Sequence, residues 1–437
     1  VDGTAWPQRV PRPSFTRLPS HGRKSWHSPA SFAIMAALSV PPPQSVMSHK
    51  DDTLTVHAGR HPEQQFGAVN PPVYHVSTVT FPTVAALEAA SKHPFEGVYY
   101  GRYGTPTTFA LEEAVAAVEG GSRTIATASG LAAICAALIA FTRSGDHVLV
   151  ADSAYAPTRK FCDGVLRRYG VETSYFDPTI GASIESLMRP TTRMVFLESP
   201  GSLTFEVQDV PAIAEVAHRH GAVVALDNTW GTPLFFKPFD KGVDISVQAA
   251  TKYIVGHADA MLGTLTTRDD GLWRRLKETV AAFGYSAGSD DCYLALRGLR
   301  TLSARLERHQ RTALHLAQWL ETRDEVAQVL YPALPSHPGH ALWARDFSGA
   351  CGLFGVILKP APKAAVDAML DGMTLFAMGF SWGGFESLIL DTSHHVTRTA
   401  VPWTPAGPLL RLHAGLEDCG DLQADIEQGF ARLRAAS

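Results

Sequence analysis

Cysteine is scarce and scattered in this 437-residue chain: Cys135, Cys162, Cys292, Cys351 and Cys419 form no C-x-x-C pair. Neither a disulfide framework nor a zinc knuckle can be built from that spacing, no metal is expected, and free thiols fit a reducing cytoplasm. An excess of one charge is also missing, since 38 basic against 42 acidic side chains leave a formal charge of -4. That balance gives no electrostatic basis for gripping nucleic acid or an anionic membrane. No apolar run approaches the ~20 residues that span a bilayer. The stretch from Leu131 to Phe141 is long enough only for a buried helix. No internal repeat is present, and small molecules are the partners this composition leaves.

Acidic residues are absent from Gly3 to Lys50, a segment rich in Pro, Ser, Arg and His. Such a composition cannot form a packed core, so residues 1–50 are read as a disordered leader. A basic, acid-free leader suits an organelle-targeting peptide. Met47, immediately before "SHKDDTLTVHAGR", favours instead an extension upstream of the native start.

From about Gly120 helix-like and strand-like segments alternate, the pattern of an α/β sheet covered on both faces. Apolar runs at 147–152, 173–177, 193–198, 222–227 and 245–249 have the length of buried parallel strands. Helices are expected between them at 157–169 and 210–220, the latter opening Asp-Val-Pro. After Arg300 come a long helix (302–320), strand-like segments at 351–359 and 409–417, and a closing helix (422–433), as in a smaller α+β domain.

Ligands of open parallel sheets sit beyond the carboxyl ends of the strands, and Asp152, Glu198, Asp227 and Lys252 fall at or just after such ends. In "SVQAATKYIVGHADAM" Lys252 lies among small and apolar residues, where desolvation leaves an amine neutral and able to attack an aldehyde. Asp227, ending the preceding strand, could hold a pyridine nitrogen protonated. Spacing alone does not separate this reading from a structural ion pair.

"TASGLAAICAALIAF" supplies a Ser-Gly turn before an apolar helix, so that Gly130 and Leu131 could offer N–H groups to a phosphate, although the turn is equally an ordinary cap. Tyr155 could stack on a flat ring or simply pack. In "YYGRYGTPT", Tyr100 and Arg102 suit phosphate binding or a solvated loop. Arg411 inside the apolar "LLRLHAGLE" needs an anionic partner, for which a substrate carboxylate would serve.

With these residues in place, the chain resembles the pyridoxal-phosphate enzymes of cysteine and methionine metabolism, from about Thr53 to Phe430. The blocks that carry the resemblance are "GAVNPPVYHVSTVTF", "YYGRYGTPT", "VFLESPGSLTFEVQDVPAI", "LDNTWGTPLFFKPFDKGVDISVQAATKYIVGHADAMLGT", "LRGLRTL", "FSWGGFESLI" and "LLRLHAGLED". It implies a fold-type I enzyme: an arm over 51–110 serving the neighbouring subunit's site, a cofactor-binding domain over 111–300 with a mostly parallel seven-stranded sheet, and an α+β domain over 301–437. By matching position, Lys252 carries pyridoxal 5'-phosphate, Asp227 pairs with its ring nitrogen and Tyr155 stacks over the ring. Gly130, Leu131 and Thr251 belong to the cofactor shell. Tyr100 and Arg102 reach the neighbouring subunit's phosphate, in a homotetramer built as a dimer of dimers. Arg411 clamps the substrate carboxylate, helped by Ser381 and Trp382. Catalysis would fall to Lys252 as base, with Lys252 or Tyr155 donating the proton to the leaving group.

Three departures from the wider family pattern, Ser202, Ala249 and Trp382, match its cystathionine β-lyase branch, and Ala249 removes one phosphate-binding hydroxyl. The expected reaction is cleavage of L-cystathionine to L-homocysteine, pyruvate and ammonia, a step towards methionine. A cysteine-S-conjugate β-lyase or cysteine desulfhydrase is the alternative, then a γ-lyase or γ-replacement synthase. The joint presence of Lys252, Asp227 and Arg411 weighs against a scaffold without chemistry. The stretch "SHHVTRTAVPW" (393–403) receives no role.

Overall fold

The computed structural model describes residues 49–437, so the expected leader lies outside the described residues except for its last two positions. Seven strands build the larger sheet: β1 (Arg123–Thr127), β2 (His147–Ala151), β3 (Glu172–Phe176), β4 (Thr192–Glu198), β5 (Val223–Asp227), β6 (Ile245–Gln248) and β7 (Gly263–Thr267). Their order is β1-β7-β6-β5-β4-β2-β3. The run from β6 to β3 is parallel, and β7 is antiparallel to both β6 and β1. The five strands read from apolar runs are the parallel five, each displaced by two residues or fewer. Sequence reading did not locate β1 and β7, whose "RTIAT" and "GTLTT" carry several threonines rather than a solid apolar run. Threonine suits a pleated strand, and Thr124 and Thr266 pair their hydroxyls at 2.9 Å across the β1–β7 ladder.

Side chains alternate between the two faces of a strand. Leu149, Val195, Leu197, Val224 and Leu226 point to one face, where helices Pro106–Glu119 and Val210–Arg219 cover them. Val148, Met194, Phe196, Ala225 and Val247 point to the other, under helices Gly130–Ala140 and Asp270–Phe283. Sequence chemistry explains where these helices begin. Thr105, Ser129, Asp209 and Asp269 each cap a first turn through the side chain, and Pro106 and Pro211 sit where no N–H is needed. The helix expected over 157–169 starts at Ala156 and widens into a π-turn over Cys162–Leu166.

A second, wholly antiparallel sheet follows: β8 (Val326–Leu330), β9 (Leu353–Leu358), β10 (Leu388–Asp391) and β11 (Leu409–His413), ordered β10-β11-β9-β8. Helix Leu302–Leu320 runs where the sequence places it, and the closing helix is longer than read, Cys419–Ala436. Trp230, three residues past β5, joins the two sheets. Its indole N–H donates to the Leu353 carbonyl at 2.9 Å, and its ring meets Tyr331 and Phe347 edge-on. Tyr253 makes a similar tie by accepting the Gly352 N–H at 2.9 Å.

Phe196 is fully buried beneath the Gly130–Ala140 face. Phe196→Ala should therefore cost about 3–5 kcal/mol in a chemical denaturation series, and a loss below ~1 kcal/mol would contradict this packing.

Candidate active site

The strand alternation that fills the core also aims the site. Counting on from Met194 and Phe196, Glu198 falls on the same face; counting on from Ala225, so does Asp227. The two residues are in-register neighbours across β4 and β5. Both therefore face the helix that begins at Gly130.

Asp227 accepts hydrogen bonds from the Thr229 N–H, at 3.0 Å, and from the Thr229 hydroxyl, whose oxygen in turn accepts the Ala249 N–H at 2.8 Å. The ends of β5 and β6 are thus tied together before the chain turns to Lys252. Burial pushes the Asp227 carboxyl up, while the Thr229 donors and Lys252 pull it back. Burial, with Arg411 adding repulsion against the weaker pull of Asp227, lowers the Lys252 amine to about 8. Its Nζ donates to the Ser381 hydroxyl at 2.7 Å. At pH 8 roughly half of such amines carry a free lone pair, against well under 1% for an ordinary lysine.

Ser381, Trp382, Gly383 and Arg411 come from the second sheet and the loop before β10. Ser381 adopts φ +82, an uncommon conformation for a residue with a Cβ. Its carbonyl accepts Arg411 Nη2 at 3.1 Å. Gly383, at φ +85, lies so close to Lys252 that a Cβ there would stand 3.0 Å from the lysine carbonyl carbon. The Gly383 N–H meets His413 Nε2 at 3.1 Å, and burial, reinforced by His309, keeps that imidazole neutral by lowering it to about 3. The Trp382 ring centroid lies 5.2 Å from Lys252 Nζ. Arg411 makes no ion pair among the described residues, so a desolvated guanidinium stands near Lys252 and Tyr155 with carbonyls as its protein partners.

The other end of the site is a helix start. Ser129 caps it by accepting the Ala132 N–H at 3.1 Å, which leaves the Gly130 and Leu131 N–H groups without intrahelical acceptors. Glycine is required at 130 for space: a Cβ would lie 2.6 Å from the Ala249 side chain. Ala249 thus lies directly against the helix start. The nearby Thr251 hydroxyl spends its bonds on Leu262, donating to its carbonyl at 3.1 Å and accepting its N–H at 2.8 Å.

Tyr155, after β2, is 44% exposed, and its N–H donates to Glu198 Oε2 at 2.6 Å. Burial first, then Glu198 and Asp227, raise its phenol, so it is a proton donor at neutral pH. Tyr100 and Arg102 are not brought to Lys252 within one chain. Tyr100 lines a surface groove of about 600 Å³ with Phe81, Val84 and Leu87, and Arg102 bonds to the Ala281 carbonyl and to Tyr103.

Sequence reasoning missed the part played by the 393–403 segment, which docks onto the end of β2. The N–H groups of Thr399 and Ala400 bond Asp152 at 2.9 and 2.8 Å, while Arg398 bonds the Asp152 carbonyl and Glu206. Burial opposes ionisation of Asp152, but these N–H groups, with that of Val401 and Arg159, outweigh it and hold the carboxyl low. The polarity of Asp152 at a strand end was the available signal. Nothing local marked its partner nearly 250 residues away.

The arrangement fits the phosphorylated pyridine aldehyde expected from the resemblance. An amine lowered to about 8, a buried carboxylate and a helix start with free N–H groups stand on one rim, and the Ser153 hydroxyl, two residues past β2, is buried without a partner among the described residues. Acylation of the cofactor-free protein, mapped by mass spectrometry, should mark Lys252 as the most reactive lysine at pH 7. Its rate should rise with pH and level off above about 8. Arg411→Met, by removing a neighbouring positive charge, should move that midpoint upward.

Comparison with known proteins places this geometry in a lineage. The family described as Cys/Met metabolism PLP-dependent enzyme matches residues 52–431. The cystathionine beta-lyase MetC of Escherichia coli is 44% identical over 391 residues, covering 88% of this chain and 99% of that protein. The cystathionine beta-lyase of Salmonella typhimurium is 43% identical over 389 residues, 87% and 98% of the two chains. A Wolbachia pipientis relative, 39% identical over 396 residues (88% and 98%), is named an L-alanine/L-glutamate racemase. The crystal structure of metB from Corynebacterium glutamicum matches at TM-score 0.82 and 30% identity, over 88% of this chain and 99% of that one. The chain belongs to the pyridoxal-phosphate-dependent enzymes of cysteine and methionine metabolism.

Proposed function

We propose that the chain is a carbon–sulfur β-lyase that converts L-cystathionine and water to L-homocysteine, pyruvate and ammonia. The observation that carries the reading is the convergence of Asp227 and Arg411, the latter without an ion pair among the described residues, on Lys252. Pyridoxal phosphate, when bound, supplies a conjugated pyridinium able to accept the electron pair left at the substrate α-carbon. Everything else is asked of the protein's own side chains.

Arg411 binds the substrate carboxylate and orients the α-carbon beneath Lys252. Lys252 Nζ, in its unprotonated form, takes the α-proton, and the Ser381 hydroxyl at 2.7 Å keeps the amine in place. Asp227, as the carboxylate, would keep the cofactor's ring nitrogen protonated. Lys252 returns a proton to the departing thiolate, with the Tyr155 phenol as the other donor on this rim. The Gly130 and Leu131 N–H groups would hold the cofactor phosphate at the helix start. The β-lyase assignment over the γ-acting branches is supported by Trp382 and Ala249, which stand beside Lys252 and Gly130, and by Ser202, which lies near Glu198.

The reading includes a homotetramer in which Tyr100 and Arg102 complete a neighbour's site, in the cytoplasm. Their separation from Lys252 within one chain agrees with that role. Among the described residues no helix is long and apolar enough to cross a membrane.

Purified protein given L-cystathionine should release equimolar pyruvate and homocysteine, and Lys252→Ala should lower the rate by at least ~10³-fold. Release of 2-oxobutyrate and cysteine, or racemisation of L-alanine faster than elimination, would overturn the assignment.

A further inference from the structure

Glu198 has no part in the reaction above, yet it stands at the centre of the strand-end rim. It and Asp227 are paired in register on adjacent parallel strands and project from the same face, so their carboxyls are near neighbours. Two carboxylates so placed cannot both ionise without mutual repulsion. The cations around them are unequally shared. Lys252 lies beside Asp227, Arg411 faces Tyr155, and Arg398, which reaches towards Glu198, is bonded to the Asp152 carbonyl, Thr204 and Glu206. Asp227 also receives both donors of Thr229. The Glu198 carboxyl instead accepts the Tyr155 N–H at 2.6 Å, with Ser202 close by.

We propose that Glu198 is a positioning residue that holds the pair's single proton: neutral, it leaves the negative charge on Asp227 and fixes the main chain beneath the Tyr155 ring. The inference rests on the roles given above to Asp227 and Tyr155. Burial, followed by the charge of Asp227, drives the Glu198 carboxyl well above its usual range. The Tyr155 N–H, Ser202 and Arg398 oppose that shift without cancelling it.

Two variants of the full-length holoenzyme test this. Glu198→Ala removes the acceptor and should lower kcat/KM by about tenfold or more and displace the visible absorption band; Glu198→Gln restores an oxygen acceptor without charge and should recover most of both. The second readout is thermal. A carboxyl neutral in the folded protein but ionised when unfolded loses stability as pH rises above its unfolded value, and glutamine does not. The melting temperature of Glu198→Gln minus that of wild type should therefore grow by about 2–4 °C from pH 5 to pH 8. A difference that stays flat or shrinks, a glutamine variant as impaired as the alanine one, or an alanine variant indistinguishable from wild type would each overturn the proposal. A Lys252→Ala protein that kept the visible band would instead sink the underlying reading and leave the melting result on Glu198 standing.

Discussion

Keeping the Lys252 amine out of water is the constraint to which the rest of the site conforms. Moving that group from its ordinary value to about 8 corresponds to on the order of 3 kcal/mol. The sign follows from linkage: the folded chain binds this proton more weakly than the unfolded one. The cost is fully present below about pH 8 and disappears as pH rises to the unfolded value. The fold tolerates it because a large packed core surrounds one desolvated amine, and Ser381 supplies a single well-placed acceptor.

Two separate sheets must meet for that centre to exist. The parallel sheet brings Asp227, Glu198 and the Lys252 turn to one rim, and the antiparallel sheet brings Arg411 and His413, two residues apart on β11 and projecting from the same face. Ser381 and Gly383 sit between them. One is tied to Lys252 and Arg411, the other packed on the lysine main chain and bonded to His413. Trp230 and Tyr253 fix the spacing from behind, so the lysine pocket is a property of the junction.

The 393–403 segment extends the same logic. It leaves β10, crosses to the large sheet and saturates Asp152 with backbone donors, immediately before the turn that carries Tyr155. The Tyr155 loop is consequently held from two sides, by Asp152 at its base and by Glu198 at its own N–H.

The five parallel strands and the long helix at 302–320 were legible because burial on both faces writes a continuous apolar run, and a buried helical stripe writes a 3.6-residue period. Lys252, Asp227 and Arg411 were legible as a charge-bearing set for the opposite reason, each being a polar group in apolar surroundings. The edge strands β1 and β7 were not, since threonine ladders look like any polar segment until a partner strand lies beside them. Nor could any local pattern announce Ser381 against Lys252, Gly130 against Ala249, or Arg398 against Asp152, contacts that span roughly 120 to 250 residues. Sequence by itself determined which residue types stand at strand ends, because side-chain alternation and apolar runs are local. Only tertiary structure decided which of them meet across a charge or a hydroxyl, because those energies depend on distances of a few ångströms between residues the chain keeps far apart.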